Sequence, residues 1–216
     1  MKTFSQKLKD FFTMPQTVGS SGNKPAVKSV VIDGQNVMYG SPTDQKVSLL
    51  NLLGLLIELN NCKTQFKCFF DANTFFTLLN AGKKTEAYAY RRLCHDFPDI
   101  FIEVPGHSRA DDFLLDFVNK GDATIISNDQ YRDFSDKYRW LTDYNRRASF
   151  LVHSGIMQIV NLGIRANIPA KLSDAETILR DQLGRITGKH VPAMLPYQNT
   201  RPANKGFNRK FGPATA

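Results

Sequence analysis

Along the middle of this 216-residue chain, short apolar runs that end in an acid or amide alternate with helix-periodic stretches. This alternation constrains the fold more than any other feature. Ser29 to Asp33 (SVVID) is a β-branched run closed by Asp-Gly, and the apolar residues of Val47 to Leu59 recur at helical spacing. Gln65 to Asp71 (QFKCFFD) reads as a second strand, Thr85 to Phe97 as a helix, and Ile100 to Val104 (IFIEV) as a third strand stopped by Pro105-Gly106. Arg109 to Asn119 reads as a helix closed by Gly121, and Ala123 to Ser127 (ATIIS) as the fourth strand. The order β-α-β-α-β-α-β predicts an α/β domain, a parallel sheet with helices on both faces. Ser149 to Leu162 is expected to add a fifth strand or a hairpin about Ser154-Gly155, and Ser173-Asp-Ala-Glu176 a capping box opening a last helix to about Ile186. No internal repeat is visible.

In an open parallel sheet, ligands bind outside the carboxyl ends of the strands. Here the first strand ends in Asp33-Gly34-Gln35-Asn36, the second in Asp71-Ala72-Asn73, and the fourth in Asn128-Asp129, followed by Tyr131-Arg132-Asp133. The third leads through Pro105-Gly106-His107-Ser108-Arg109-Ala110 to Asp111-Asp112 at a helix start. Each alone has a local explanation: a turn, an acid favoured by the helix dipole, or a turn cap. Together on one edge, the carboxylates would repel strongly unless a cation lay between them. Oxygen ligands without paired His or Cys suit Mg²⁺ or Mn²⁺ rather than Zn²⁺. Such a site serves phosphodiester hydrolysis.

The formal charge of +8 and a sequence pI near 9.4 point to an anionic partner, nucleic acid first. The excess sits at the ends. Residues 1–29 carry five Lys against one Asp, and residues 188–216 carry five cations and no acid, which leaves 30–187 at −1. The expected division is a basic flexible N-terminal arm (1–27), the folded domain (28–187) and a basic disordered tail (188–216), because the ends are rich in Gly, Pro, Ser, Asn and Lys. Within the tail, Tyr197, Arg201, Lys205, Phe207, Arg209, Lys210 and Phe211 interleave cations with aromatics, a pattern for weak binding of single strands; a plain tail is the alternative. Met1 to Met14 reads as a frayed amphipathic helix, with an organelle transit peptide as the other reading. Three cysteines without C-x-x-C spacing suggest a reducing compartment, the cytoplasm. No apolar stretch approaches the roughly 20 residues of a membrane span, so no membrane partner is expected.

Three blocks, Val30-Val-Ile-Asp33-Gly-Gln-Asn36-Val, Asp111-Asp112-Phe-Leu-Leu and Ile125-Ile-Ser-Asn-Asp129-Gln-Tyr-Arg-Asp133-Phe, resemble the PIN-like NYN ribonucleases of the Regnase (MCPIP) type, in family order and separation. The resemblance covers about residues 28–162, including Phe150-Leu-Val-His-Ser-Gly-Ile-Met, and SNDxYRDF is its most specific block. It implies a PIN-like (Rossmannoid) sheet domain whose acidic pocket holds Mg²⁺ (or Mn²⁺) and cleaves single-stranded or stem-loop RNA, leaving 5′-phosphates. By position, Asp33, Asp112 and Asp129 resemble the metal carboxylates, with Asp111 as an additional neighbour, and Asn36 and Asp133 would orient them. The CCCH zinc finger that usually follows this domain is not expected in these residues, since no Cys follows Cys94. Asp71 departs from the family pattern and reads as an outer-sphere group or a polar strand end.

Lys83, Lys84, Arg91, Arg92, His107, Arg109 and Arg132 are candidates for contacting RNA phosphates, with solvated surface charge as the alternative. His107 could instead donate a proton to the leaving 3′-oxygen. Tyr88, Tyr90, Tyr131 and Phe134 could stack on unpaired bases, although packing also explains Phe134 and Tyr88. Trp140, with Arg139, Arg146 and Arg147, could wall the groove. The rival functions are an RNA-binding adaptor that cuts poorly, a PIN-type nuclease acting on DNA, and a phosphatase or receiver-like domain. A homo-oligomer is left open.

Overall fold

The computed structural model describes residues 29–40 and 46–189. The expected arms before residue 29 and after 189 lie outside the described residues.

Five parallel strands form the central sheet: β1 (Ser29–Asp33), β2 (Gln65–Phe70), β3 (Phe101–Glu103), β4 (Thr124–Ile126) and β5 (Arg147–Ala148). Their order is β3-β2-β1-β4-β5, with β1 in the centre. A parallel strand covered on both faces is apolar in its middle, and β1 is apolar from Val30 to Ile32. Its residues alternate between two cores: Val30 and Ile32 join one, Val31 the other. Phe66, Cys68 and Phe70 of β2 and Ile126 of β4 point with Val30, while Phe69 and Ile125 point with Val31.

The larger core is covered by α1 (Gly34–Tyr39), α2 (Leu49–Asn61), α3 (Thr74–Asn80), α4 (Lys84–Asp96) and α6 (Leu172–Thr187). Leu49, Leu52, Leu53, Leu56 and Leu59 make the buried stripe of α2, the i, i+3, i+4, i+7 pattern of a helix with one face in the core. Gly54 is required on this helix, because a Cβ there would lie 2.6 Å from the Asn167 carbonyl oxygen. The other core holds one helix, α5 (Ala110–Asn119), with Tyr131, Phe134, Tyr138 and Leu141.

Four local expectations change. The fifth sheet strand is the two-residue β5, too short for any periodicity to reveal. The hairpin about Ser154-Gly155 does form, from β6 (Leu151–His153) and β7 (Ile156–Ile159), but with β8 (Ile164–Asn167) it makes a separate three-stranded antiparallel sheet. Gly121 does not cap α5 in the left-handed region. Instead the Arg146 guanidinium donates to the Val118 and Gly121 carbonyls at 2.7 and 2.9 Å, satisfying carbonyls that a helix end leaves open. The capping box also fails. Helix α6 begins at Leu172, and Glu176 turns inward to a bidentate pair with Arg92 at 2.8 and 2.7 Å, a tertiary contact that outweighs the local cap.

No helix among the described residues is long and apolar enough to cross a membrane.

Candidate active site

The strand order reverses between β1 and β4: the chain runs outward from β1 through β2 to β3, then returns to β4 on the other side of β1. The carboxyl ends of these two neighbours therefore open a crevice between loops that leave in opposite directions. Asp33 closes β1 there, and Ser127-Asn128-Asp129 leave β4. Gly34 lets the chain turn at once, since a Cβ would sit 2.0 Å from the Phe70 ring.

Hydrogen bonds tie the two strand ends together. Asp33 Oδ1 accepts from the Asn36 N–H at 3.1 Å, and Oδ2 accepts from Ser127 Oγ at 3.0 Å and the Tyr131 hydroxyl at 3.1 Å. The buried Ser127 also accepts from the Asp129 N–H at 3.0 Å. Asn36 Oδ1 accepts from the Asn128 N–H at 2.8 Å, and Asn128 Oδ1 accepts from the Phe150 N–H at 3.0 Å, linking the exits of β1, β4 and β5. Tyr131 has a left-handed backbone, φ 51°, which costs a β-carbon residue about 1–3 kcal/mol and persists only where the surroundings enforce it. Its N–H donates to Asp129 Oδ1 at 2.8 Å, and its ring is 2% exposed.

Burial, and next to it the charge of Asp111, pushes the half-buried Asp33 carboxyl up to about 6 against bonds from Asn36, Ser127 and Tyr131 that lower it. Burial also raises Asp111, with the Arg109 guanidinium opposing and the charges of Asp129 and Asp71 adding to the rise. The Tyr131 phenol is held well above its ordinary range by burial and then by Asp33, so it stays a donor. These carboxylates feel one another across the edge. Among the described residues, however, no three His, Cys, Asp or Glu side chains are packed closely enough to hold an ion by themselves.

An open cleft of about 370 Å³ is lined by Arg109, Asp111, Asn128, Asp129, Gln130, Tyr131, Arg132, Asp133 and Phe134. Of the residues singled out from sequence, Asp111, Asp129, Asp133, Arg109, Arg132, Tyr131 and Phe134 line it, and Asp33 and Asn36 lie against it through the bonds above. Asp112 is exposed on the first turn of α5 and does not line the cleft. Arg109 donates to Asp111 at 3.0 Å and sits over the Phe134 ring, 5.0 Å from its centroid. His107 is exposed in the β3–α5 loop with φ 67°.

Lys83, Arg91 and Arg92 are not brought to this cleft. Lys83 pairs with Glu86 at 3.3 Å, Arg91 covers the Phe75 ring at 3.9 Å, and Arg92 holds Glu176 of α6. Tyr90 is fully buried and donates to Glu103 at 2.8 Å, so it cannot stack on a base, and the buried ring of Tyr131 is withdrawn from stacking too. Trp140 donates to Asn119 at 3.0 Å under the Arg146 guanidinium, at the end of α5 opposite Asp111, and does not wall this cleft. Sequence reasoning gave Ser127 and Asn128 a turn-capping role and no role in the site, and it read Tyr131 as a ring that stacks on bases. Their signal was the SNDxYRDF block, in which Ser127, Asn128, Asp129 and Tyr131 all bond within the site.

A parallel sheet in this order, with acids gathered at its strand-order reversal, defines a PIN-like α/β nuclease fold. Residues 26–159 match the Zc3h12a-like ribonuclease NYN domain, and the chain belongs to that family. Two solved structures of the Arabidopsis thaliana nuclear protein-only RNase P 2 are similar, both at 16% identity. One has a TM-score of 0.47 over 63% of this chain and 30% of that chain, the other 0.48 over 66% and 31%. This chain thus spans less than a third of either. Comparison with curated proteins gives no match.

Proposed function

We propose that the protein is a divalent-metal-dependent endoribonuclease that hydrolyses single-stranded or loop RNA and leaves 5′-phosphate ends. The observation that carries this reading is the junction of Asp33 and Asp129 across the β1–β4 reversal, with Arg109 and Arg132 on the rim of the same cleft.

The donor set suits a hard cation. It consists of carboxylate and amide oxygens, and the field that pushes up Asp33 and Asp111 is one a cation would relieve. Because no three acids converge among the described residues, the ion would be held by one or two carboxylates, completed by water and the substrate phosphate, as is usual for Mg²⁺. Asp33 and Asp129 would hold it, and Asp111 or Asp112 of α5 would act on it from further out, through its bound water. A bound Mg²⁺ or Mn²⁺ neutralises charge on the scissile phosphate and makes water nucleophilic near neutral pH.

The protein's own groups do the rest. Ser127 and Tyr131 hold Asp33 in one orientation, Asn36 holds the Asn128 backbone, and Asp133 adds a carboxylate at the cleft wall. Arg109 and Arg132 would bind the RNA backbone, which a net-acidic pocket needs if it is to hold a polyanion.

The test is cleavage of matched end-labelled RNA and DNA oligonucleotides with Mg²⁺, with EDTA and with Asp33→Asn. RNA cut only with metal and only by the wild type supports the reading. Cleavage in EDTA, or by Asp33→Asn at the wild-type rate, overturns it; preference for DNA moves the activity to another polymer, and binding without cutting makes the protein an adaptor.

A further inference from the structure

We infer that Asp71, at the exit of β2, is a positioning residue: it caps helix α5 from a neighbouring element and so fixes where that helix delivers Asp111 to the cleft. Helix α5 starts without a cap of its own. Arg109 occupies the N-cap position with an extended backbone, φ −88° and ψ 136°, and its side chain makes no capping bond; the guanidinium goes to Asp111 instead. The acceptor comes from 39 residues earlier, where Asp71 Oδ1 accepts from the Ala110 N–H at 2.9 Å. That N–H belongs to the first residue of the helix, among the donors a helix start leaves open.

Asp71 is itself anchored. Its carbonyl accepts from the Thr74 N–H at 3.0 Å and from Thr74 Oγ1 at 2.7 Å, and Thr74 Oγ1 also reaches Gln35 Oε1 at 3.0 Å, two residues past Asp33. Beside it, the Val104 N–H donates to the Phe70 carbonyl at 2.9 Å, holding the β3 exit from which the α5 loop departs. The chain of contacts thus runs from the loop after β1, through Thr74 and Asp71, to the first turn of α5. One residue further on, Asp111 lines the cleft and feels the charge of Asp71.

The capping needs an acceptor oxygen, not a charge. A negative group suits a helix N-terminus, but here the same charge lies close to Asp111 and opposes its ionisation. Asparagine at position 71 would keep the acceptor and remove the repulsion; alanine would remove both. An ion ligand would behave differently, because asparagine and alanine would then fail alike.

The capping stands on the hydrogen bond, and its effect on cleavage rests on the nuclease reading above, so two measurements are made on the full-length chain. Amide hydrogen exchange should show Ala110 and its neighbours protected in wild type and Asp71→Asn, and exchanging about fivefold to tenfold faster in Asp71→Ala, the size of one lost cap. Cleavage of labelled RNA should keep its kcat within about twofold in Asp71→Asn and lose about fivefold to tenfold in Asp71→Ala, with KM unchanged. Equal losses in both variants, or unchanged Ala110 exchange in Asp71→Ala, would overturn the inference. A wild type that cuts no RNA defeats the nuclease reading alone, and the exchange result still decides the cap.

Discussion

Tyr131 joins the two strand ends that form the site: its hydroxyl donates to Asp33 Oδ2 at 3.1 Å while its backbone N–H donates to Asp129 Oδ1 at 2.8 Å. With Ser127 also on Oδ2, that oxygen has both acceptor positions taken, whereas Oδ1 carries only the Asn36 N–H. Oδ1 therefore keeps an acceptor position that these bonds do not fill.

Replacing Tyr131 by Phe keeps the buried ring and removes one donor to Asp33. Hydrogen bonds to charged groups are worth about 1.5–3 kcal/mol, so the rate of RNA cleavage should fall roughly tenfold in a protein that still unfolds cooperatively. Initial rates and a thermal melt check this; a wild-type rate would show that Ser127 alone orients the carboxylate.

The raised Asp33 carboxyl predicts a pH-dependent stability. Its pKa of about 6 in the folded chain against an ordinary 3.8 means that, between those values, the folded state holds a proton the unfolded state has released. Stability therefore falls as pH rises from about 4 to 6, by about 3 kcal/mol for this group. Asp33→Asn cannot titrate. In EDTA, its Tm relative to wild type should climb by several degrees across that interval and then level off above pH 7. Parallel curves for the two proteins would rule the effect out.

Adjacent residues on a helix point about 100° apart, and that angle separates Asp111 from Asp112 at the cleft. Asp111 lines it and Asp112 is exposed. Asp111→Asn should lower RNA cleavage by about a hundredfold and Asp112→Asn by less than about tenfold. Equal losses, or the reverse order, would mean that the first turn of α5 rotates when RNA or metal binds.

Arg92 is predicted to matter for stability and not for RNA. Glu176, 2% exposed, accepts both of its bonds, and without Arg92 its nearest remaining cation among the described residues is Arg180 at 4.0 Å. Arg92→Ala should destabilise the fold by about 1–3 kcal/mol, read by urea unfolding. Its RNA affinity should keep the wild-type salt slope; a shallower slope would return Arg92 to the list of phosphate contacts.

The strands, the main helices and the acids at strand ends were legible in the chain because each rests on local signals. Burial on both faces gives β1, β2 and β4 apolar runs, Val30–Ile32, Cys68–Phe70 and Ile125–Ile126, and α2 and α5 carry their buried apolar residues at helical spacing. β5 has two residues and α3 seven, too few for a period to show.

Only the tertiary structure decided which polar groups meet. Sequence spacing put Arg92 among the phosphate contacts, but the packing of α4 on α6 gives it to Glu176. Tyr131 was legible as an aromatic in a basic, acidic stretch, and a left-handed backbone turned its hydroxyl inward to Asp33. Asp71 looked like a polar strand end until α5 was seen to begin against it. Hydrophobic periodicity and turn residues act between neighbours in the chain and so can be read from it. A hydrogen bond between residues 39 or 98 positions apart, as Asp71–Ala110 and Asp33–Tyr131 are, depends on a strand order that no local pattern encodes.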